Sequence, residues 1–196
     1  MPYYTKQQAR NAARESVRKS HASNSRQALK ASFESASSYQ KFDVFLSHSS
    51  DDAELILGIK KILEEEQGLT VYVDWDTDRQ LSRENVNKET ADLLRMRMKQ
   101  SKSLIYVATE NSPNSRWMPW ELGYFDGFRP QGVAILPLLD SEDESFNGQE
   151  YLSLYPVVTK GRYKNGQKET FVKNGFESWQ TLKQFGGGAT NWRSYS

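Results

Sequence analysis

Apolar and polar positions switch between two periods along the middle of this chain. Phe42–Ser47 (Phe-Asp-Val-Phe-Leu-Ser) is a short, mostly apolar run suited to a buried strand, and the polar turn His48-Ser49-Ser50-Asp51-Asp52 follows it. Leu55, Ile59, Ile62 and Leu63 then recur at helical spacing, with Asp51 and Glu54 fitting the helix N-terminus, Asp51 and Asp52 reading as its caps, and Gly68 following its end. Leu69–Asp74 is a second strand that ends in a carboxylate where the polar loop Trp75–Asn87 begins. A helix over Lys88–Gln100 turns Ala91, Leu94 and Met98 inward and Arg95, Arg97 and Lys99 outward. Ser103–Ala108 is a third strand, Thr109–Asn114 a loop, and Val133–Leu139 a fourth strand after one more helix. Strands alternating with helices predict an α/β fold, a parallel sheet wound by right-handed crossovers. Ligands of such sheets gather outside the carboxyl ends of the strands, where Ser47–Asp52, Asp74–Arg79 and Thr109–Arg116 should lie.

The flanks read differently. Thr5 with Gln8 three positions on is a capping box that opens a helix over Lys6–Lys19, whose apolar face is thin and whose Arg10, Arg14 and Arg18 form a stripe at i, i+4 spacing. Ser35–Ser38 read as a linker, so residues 1–38 form a basic, solvated extension. After the acidic loop Asp140–Glu150, Leu154–Thr159 is a fifth strand that Pro156 assigns to a sheet edge. Tyr163–Val172 around Asn165-Gly166 reads as a two-residue hairpin, Phe176–Phe185 is a terminal helix docking Trp179 and Leu182, and Gly186-Gly187-Gly188 starts a flexible tail. The expected divisions are 1–38, 39–160 and 161–196.

Composition narrows the chemistry. The chain has 196 residues, no cysteine and only two histidines, His21 and His48, so thiolate sites and Cys nucleophiles are excluded and a multi-imidazole zinc site is disfavoured. Mean hydropathy is −0.77, and no run of 18 apolar residues or secretory leader is present, which suggests a soluble, cytoplasmic protein without a membrane partner. Net charge is +1, but residues 1–38 carry seven basic against two acidic groups, so the main body is mildly acidic and nucleic acid is not the expected partner.

The stretch Ser115–Asp126, Ser-Arg-Trp-Met-Pro-Trp-Glu-Leu-Gly-Tyr-Phe-Asp, combines an N-cap at Ser115, a proline confined to the first turn and a run of aromatics. Residues four apart share a helical face, which puts Trp117 one turn before Glu121. Glu121 is then a lone carboxylate among Trp117, Trp120, Leu122, Tyr124 and Phe125, beside the carboxyl rim of the sheet. An apolar surround disfavours the ionised form, whereas an open helix surface would leave only a solvated charge.

Phe42-Asp-Val-Phe-Leu-Ser-His48, Val71-Tyr-Val-Asp-Trp75, Ser103-Leu-Ile-Tyr-Val107 and the Ser115–Asp126 stretch, in this order, resemble a Toll/interleukin-1 receptor (TIR) domain, most of all its bacterial branch. The resemblance spans about Lys41–Thr159. It implies a flavodoxin-like fold of about five parallel strands with helices on both faces, NAD as a substrate cleaved at its nicotinamide bond, no other cofactor, and a place in anti-phage defence with ADP-ribose or a cyclic isomer as product. It also implies a homo-oligomer through TIR–TIR contacts, and a downstream effector that senses the nucleotide product. Residue by residue, Glu121 matches the catalytic glutamate and Trp117 the aromatic one turn before it. Ser47 and His48 fall where the first-strand loop meets substrate, and Asp74 opens the loop that closes over the nucleotide. Many animal members carry basic residues just after the position of His48; Ser49 and Ser50 stand here instead, which leaves Arg116, Arg79 and the Arg95/Arg97 pair as cations for the pyrophosphate.

A single carboxylate suffices for such a reaction. Ordinary glycoside hydrolysis uses one carboxyl group to protonate an alkoxide and a second to stabilise the oxocarbenium-like centre. Nicotinamide in NAD is a pyridinium that leaves neutral, so no general acid is required, and Glu121 can stabilise the developing cation while Trp117 excludes water. Two other readings fit the same residues: a non-catalytic TIR interaction module, and a nucleoside deoxyribosyltransferase-like enzyme on an α/β fold.

Overall fold

The structure, a computed structural model, describes residues 2–75 and 88–195. Its strands are β1 (Tyr4–Thr5), β2 (Phe42–Ser47), β3 (Val71–Tyr72), β4 (Ser101–Ala108), β5 (Val133–Leu139), β6 (Val157–Arg162), β7 (Lys168–Asn174), β8 (Ser178–Thr181) and β9 (Arg193–Ser194). The helices are α1 (Lys6–Ser20), α2 (Ser25–Ser35), α3 (Ala53–Glu65), α4 (Lys88–Lys99), α5 (Trp117–Phe128) and the short α6 (Leu182–Gly186). One sheet runs β3-β2-β4-β5-β6-β7-β8-β9; it is parallel through β6 and antiparallel beyond. Its parallel part has the flavodoxin-like order 2-1-3-4-5, in which the winding reverses between β2 and β4.

Alternation along the strands divides the core into two layers. Val44 and Leu46 of β2, Ile105 and Val107 of β4, and Ala134, Leu136 and Leu138 of β5 join Ala9, Ala13, Leu29, Ile56, Ile59 and Leu63 from α1, α2 and α3. On the opposite face, Phe45, Leu104, Tyr106, Val133 and Ile135 meet Leu94 and Met98 of α4 and Met118, Leu122 and Phe125 of α5. Both layers are closely buried, so the sheet is a fixed platform for whatever its carboxyl ends carry.

Several expectations need correction. The capping box at Thr5 and Gln8 is present, but α1 is no solvated appendage: Ala9 and Ala13 are fully buried against α3, and Arg10 and Arg14 approach Glu54 at 3.6 and 3.8 Å. Two small residues suffice because α3 presents Gly58, where a Cβ would stand 1.8 Å from the Ala9 carbonyl oxygen. A second helix, α2, capped by Asn24, fills the stretch before the expected linker. Arg97 points inward: its guanidinium donates to the carbonyls of Ala36 and Ser37 and lies 5.1 Å from the Tyr72 ring centroid, joining α4 to the end of α2. Pro156 precedes β6 rather than marking an edge; its carbonyl accepts from Ile135 and β6 is paired on both sides.

The expected hairpin is present, but its loop has three residues, 164–166, rather than two: Tyr163 N donates to the Gln167 carbonyl, and Gly166 takes φ 85° to close the turn. The expected terminal helix is mostly strand. Trp179 belongs to β8, edge-on to Phe171 with centroids 5.3 Å apart, and only Leu182–Gly186 is helical. The glycines after it do not begin a free tail, since Trp192 packs on the core and β9 pairs with β8. The loop Trp75–Asn87, apart from Trp75 itself, lies outside the described residues, and Arg79 with it.

Candidate active site

The reversal of winding sets β2 and β4 side by side, with Ser47 and Tyr106 as partners at their carboxyl ends. Ser47 follows Phe45 by two residues, so its side chain points to the α4/α5 face. The buried stripe of α5 is Met118, Glu121, Leu122 and Phe125, which places a carboxylate where an amphipathic helix would carry an apolar residue. Such a group is costly to bury without a hydrogen-bond partner. Ser47 supplies one, its hydroxyl donating to Glu121 Oε2 at 2.6 Å, with Glu121 6% exposed and Ser47 sealed off. A donor fixed by the sheet on an acceptor fixed by the helix orients the carboxylate before any substrate arrives.

Tyr106, beside Ser47 in the sheet, was not legible as part of this site. Burial pushes its phenol well above the usual tyrosine range, with Tyr151 and the Glu121 carboxylate adding to the effect, so its proton stays in place through neutral pH. Its sequence signal was only the alternation Leu104, Tyr106, Ala108, which puts it on the face of Phe45 and Ser47.

Helix α5 begins one residue later than Ser115 would suggest, with Arg116 at the N-cap position, but the Ser115 hydroxyl still accepts from Met118 N at 3.3 Å. Trp117 is half-buried, one turn before Glu121, edge-on to Trp120 at 5.3 Å, and Trp120 stacks on Tyr124 at 5.6 Å. Arg116 is exposed. Of the other expected cations, Arg97 is engaged at α2, and Arg95 pairs with Asp92 and lies 5.3 Å from the Trp120 ring centroid.

His48 takes the opposite direction from Ser47. Its Nδ1 donates to the Leu46 carbonyl at 2.9 Å, and its ring stacks on fully buried Trp75, with centroids 5.3 Å apart and planes 14° from parallel. Trp75 belongs to the α1–α3 layer. Asp74 lies just before it, half-buried, with the Tyr72 hydroxyl at 3.4 Å. The structure therefore joins Ser47 to Glu121 directly and places His48 in the other layer.

The caps expected of Asp52 are replaced by a cross-link. Its carboxylate makes no hydrogen bond to α3 but accepts from Thr109 Oγ1 at 2.6 Å and Asn111 Nδ2 at 2.7 Å, tying the loop after β2 to the loop after β4. Both loops border the crevice at the winding reversal. Among the described residues no group of three or more His, Asp or Glu is placed to hold a metal ion.

The family model described as "TIR domain" matches residues 44–164, more than half of the chain. The protein is a TIR-domain protein. A relative from Bacillus cereus (strain MSX-D12), named "Probable 3' cyclic ADP-D-ribose synthase ThsB'", is 50% identical over 174 residues, covering 86% of this chain and 89% of the relative. A second, from Cytobacillus dafuensis and named with equal reserve as cyclic ADP-D-ribose synthase TIR2, is 40% identical over 84 residues, covering 42% of this chain and 22% of the relative. The first similarity runs far beyond the TIR match, so it takes in flanking elements that pack around the TIR core.

Proposed function

We propose that this TIR protein cleaves NAD at the bond between nicotinamide and ribose and closes the remainder into a cyclic ADP-ribose. The observation that carries the reading is the buried Ser47–Glu121 pair at the winding reversal of a TIR fold. The names of the two relatives supply the substrate class and the cyclic product.

The chemistry follows from one oriented carboxylate. As the C–N bond breaks, its electron pair leaves with nicotinamide and positive charge grows on the anomeric carbon. Glu121, held by Ser47, stabilises that charge, and Trp117 packs over the site and keeps water out. A nucleophile from the same molecule then forms the new bond. If it is a ribose hydroxyl, as the prefix in the Bacillus relative's name suggests, its proton must also be taken up, and we assign that uptake to the Glu121 carboxylate. NAD is then substrate and no separate cofactor takes part. The same family membership supports a cytoplasmic role in anti-phage signalling, with assembly of several copies and an effector that reads the cyclic nucleotide.

Incubation of the wild type and Glu121→Gln with NAD at high protein concentration, with products resolved by liquid chromatography and mass spectrometry, tests the reading. Nicotinamide release that the variant abolishes, with a second product lacking the mass of an added water, is the expected result. Wild-type release that Glu121→Gln leaves intact would overturn the assignment of Glu121. Cleavage of nucleosides with NAD untouched would point instead to a deoxyribosyltransferase-like enzyme.

A further inference from the structure

Three consecutive residues after β4 are each tied to another part of the molecule. Thr109 and Asn111 donate to Asp52 on one side. Glu110, between them, accepts from Lys6 Nζ at 2.8 Å, and the same ammonium reaches Asp140, after β5, at 3.2 Å. This triplet leads through the 3-10 turn Ser112–Asn114 to Ser115 and into α5, so its position sets where the Glu121 helix starts.

Lys6 is at an unlikely place for a lysine. It is the first residue of α1, whose first turn carries no acidic group, and a cation there opposes the helix dipole. Its side chain is also only 9% exposed, although its two partners are 71% and 73% exposed. Local preference therefore does not account for it; the two carboxylates do, and they hold its proton firmly, Glu110 foremost. The strand before it brings it there. Tyr4 and Thr5 pair with Leu138 and Leu139 where β5 has parted from β6, which pairs with β5 only at Ile135 and Val157. Pro2 accepts from the Lys160 amide and the Tyr4 hydroxyl bonds Thr170, so the N-terminal segment is wedged into the fork of the sheet. Lys6 then lines a cleft of about 360 Å³ between the loops after β4 and β5, with Ala108, Pro113, Phe146 and Leu152 among its walls.

We propose that Lys6, outside the segment matched by the TIR family model, is a positioning residue for the Glu121 site: bridging Glu110 and Asp140, it fixes the Thr109–Ser115 segment and with it the entry of α5. The proposal rests on the reading of Glu121 given above. It makes the N-terminal segment a working part of the site rather than an appendage to the TIR core.

The test compares full-length Lys6→Met, Lys6→Arg and Glu110→Gln with the wild type in hydrogen–deuterium exchange and in steady-state NAD cleavage. Lys6→Met is expected to raise exchange about tenfold in residues 109–115 with the central strands unchanged, and to lower kcat about tenfold at nearly constant KM. Lys6→Arg should restore most of both, because a cation still reaches the two carboxylates. Glu110→Gln should shift both readouts the same way, and since Glu110 is largely exposed its loss does not open the core. Uniformly raised exchange with kcat per folded molecule unchanged would mean that Lys6 is merely structural and would overturn the proposal, as would unchanged exchange at 109–115. If the wild type shows no Glu121-dependent nicotinamide release, the reading of the site fails separately, and exchange at 109–115 still decides whether Lys6 holds the loop.

Discussion

The two faces of the sheet part company at the end of β2. Ser47 turns toward α5 and meets a buried carboxylate; His48, the next residue, turns toward the α1–α3 layer and meets a buried tryptophan. One layer holds a charge that has to be oriented, the other holds aliphatic side chains, with Trp75 among them, packed against one another. Neighbours in sequence can thus serve chemistry and stability separately, because strand alternation sends them to opposite sides of a platform only one residue thick.

The sharpest break in that contrast comes from Glu121→Gln. It should lower nicotinamide release by roughly a thousandfold or more, the scale of losing a key charge-stabilising group, while the melting temperature stays close to that of the wild type. The layer opposite should respond in the reverse manner. Gly58→Ala places a methyl group where the Ala9 backbone already stands and should cost about 3 kcal/mol by forcing α1 from α3. Calorimetry should show a melting temperature lower by about 10 °C with kcat per folded molecule unchanged.

Alkaline pH sharpens the same point through the N-terminal wedge. Burial pushes the Tyr4 phenol up to about 12, from an ordinary value near 10. Below pH 10 folded and unfolded chains both keep the proton; between about 10 and 12 only the folded chain does, so stability falls as pH rises through that window. The full effect approaches about 2.7 kcal/mol, and Tyr4→Phe should flatten that part of a denaturation-versus-pH curve. Smallest but most direct is the adjacent pair. Ser47→Ala should reduce kcat about 10- to 100-fold, the range of a hydrogen bond to a charged group, and cost about 1–3 kcal/mol of stability because the buried Glu121 carboxylate loses a partner. His48→Ala should cost about 1–2 kcal/mol of stability through the lost stack and the bond to Leu46, and change kcat only slightly. A large kcat effect from His48→Ala would erase the distinction between the faces.

Much of this was written into local pattern. Phe42–Ser47 has the same bounds as a sequence expectation and as a strand, and the Thr5/Gln8 capping box formed as read, because each is decided within a few residues. Glu121 could be singled out because aromatics surround it within one helix. The failures have a common cause. Arg97 seemed an outward cation until distant carbonyls at Ala36 and Ser37 claimed it, and Asp52 seemed a helix cap until Thr109 and Asn111 drew it across to another loop. The thin face of α1 seemed too weak to pack because the matching surface, Gly58, lies on another helix.

By itself the sequence determined the alternation of strands and helices, the family, and the helix that carries Glu121, since these follow from periodicity, capping and turn chemistry acting over short spans. Only the tertiary structure decided that Ser47 rather than His48 faces Glu121 and that Lys6 reaches the loop before it. Those choices depend on which strands become neighbours and on where helices cross, and buried polar groups settle on whichever partner the completed packing brings within hydrogen-bonding distance.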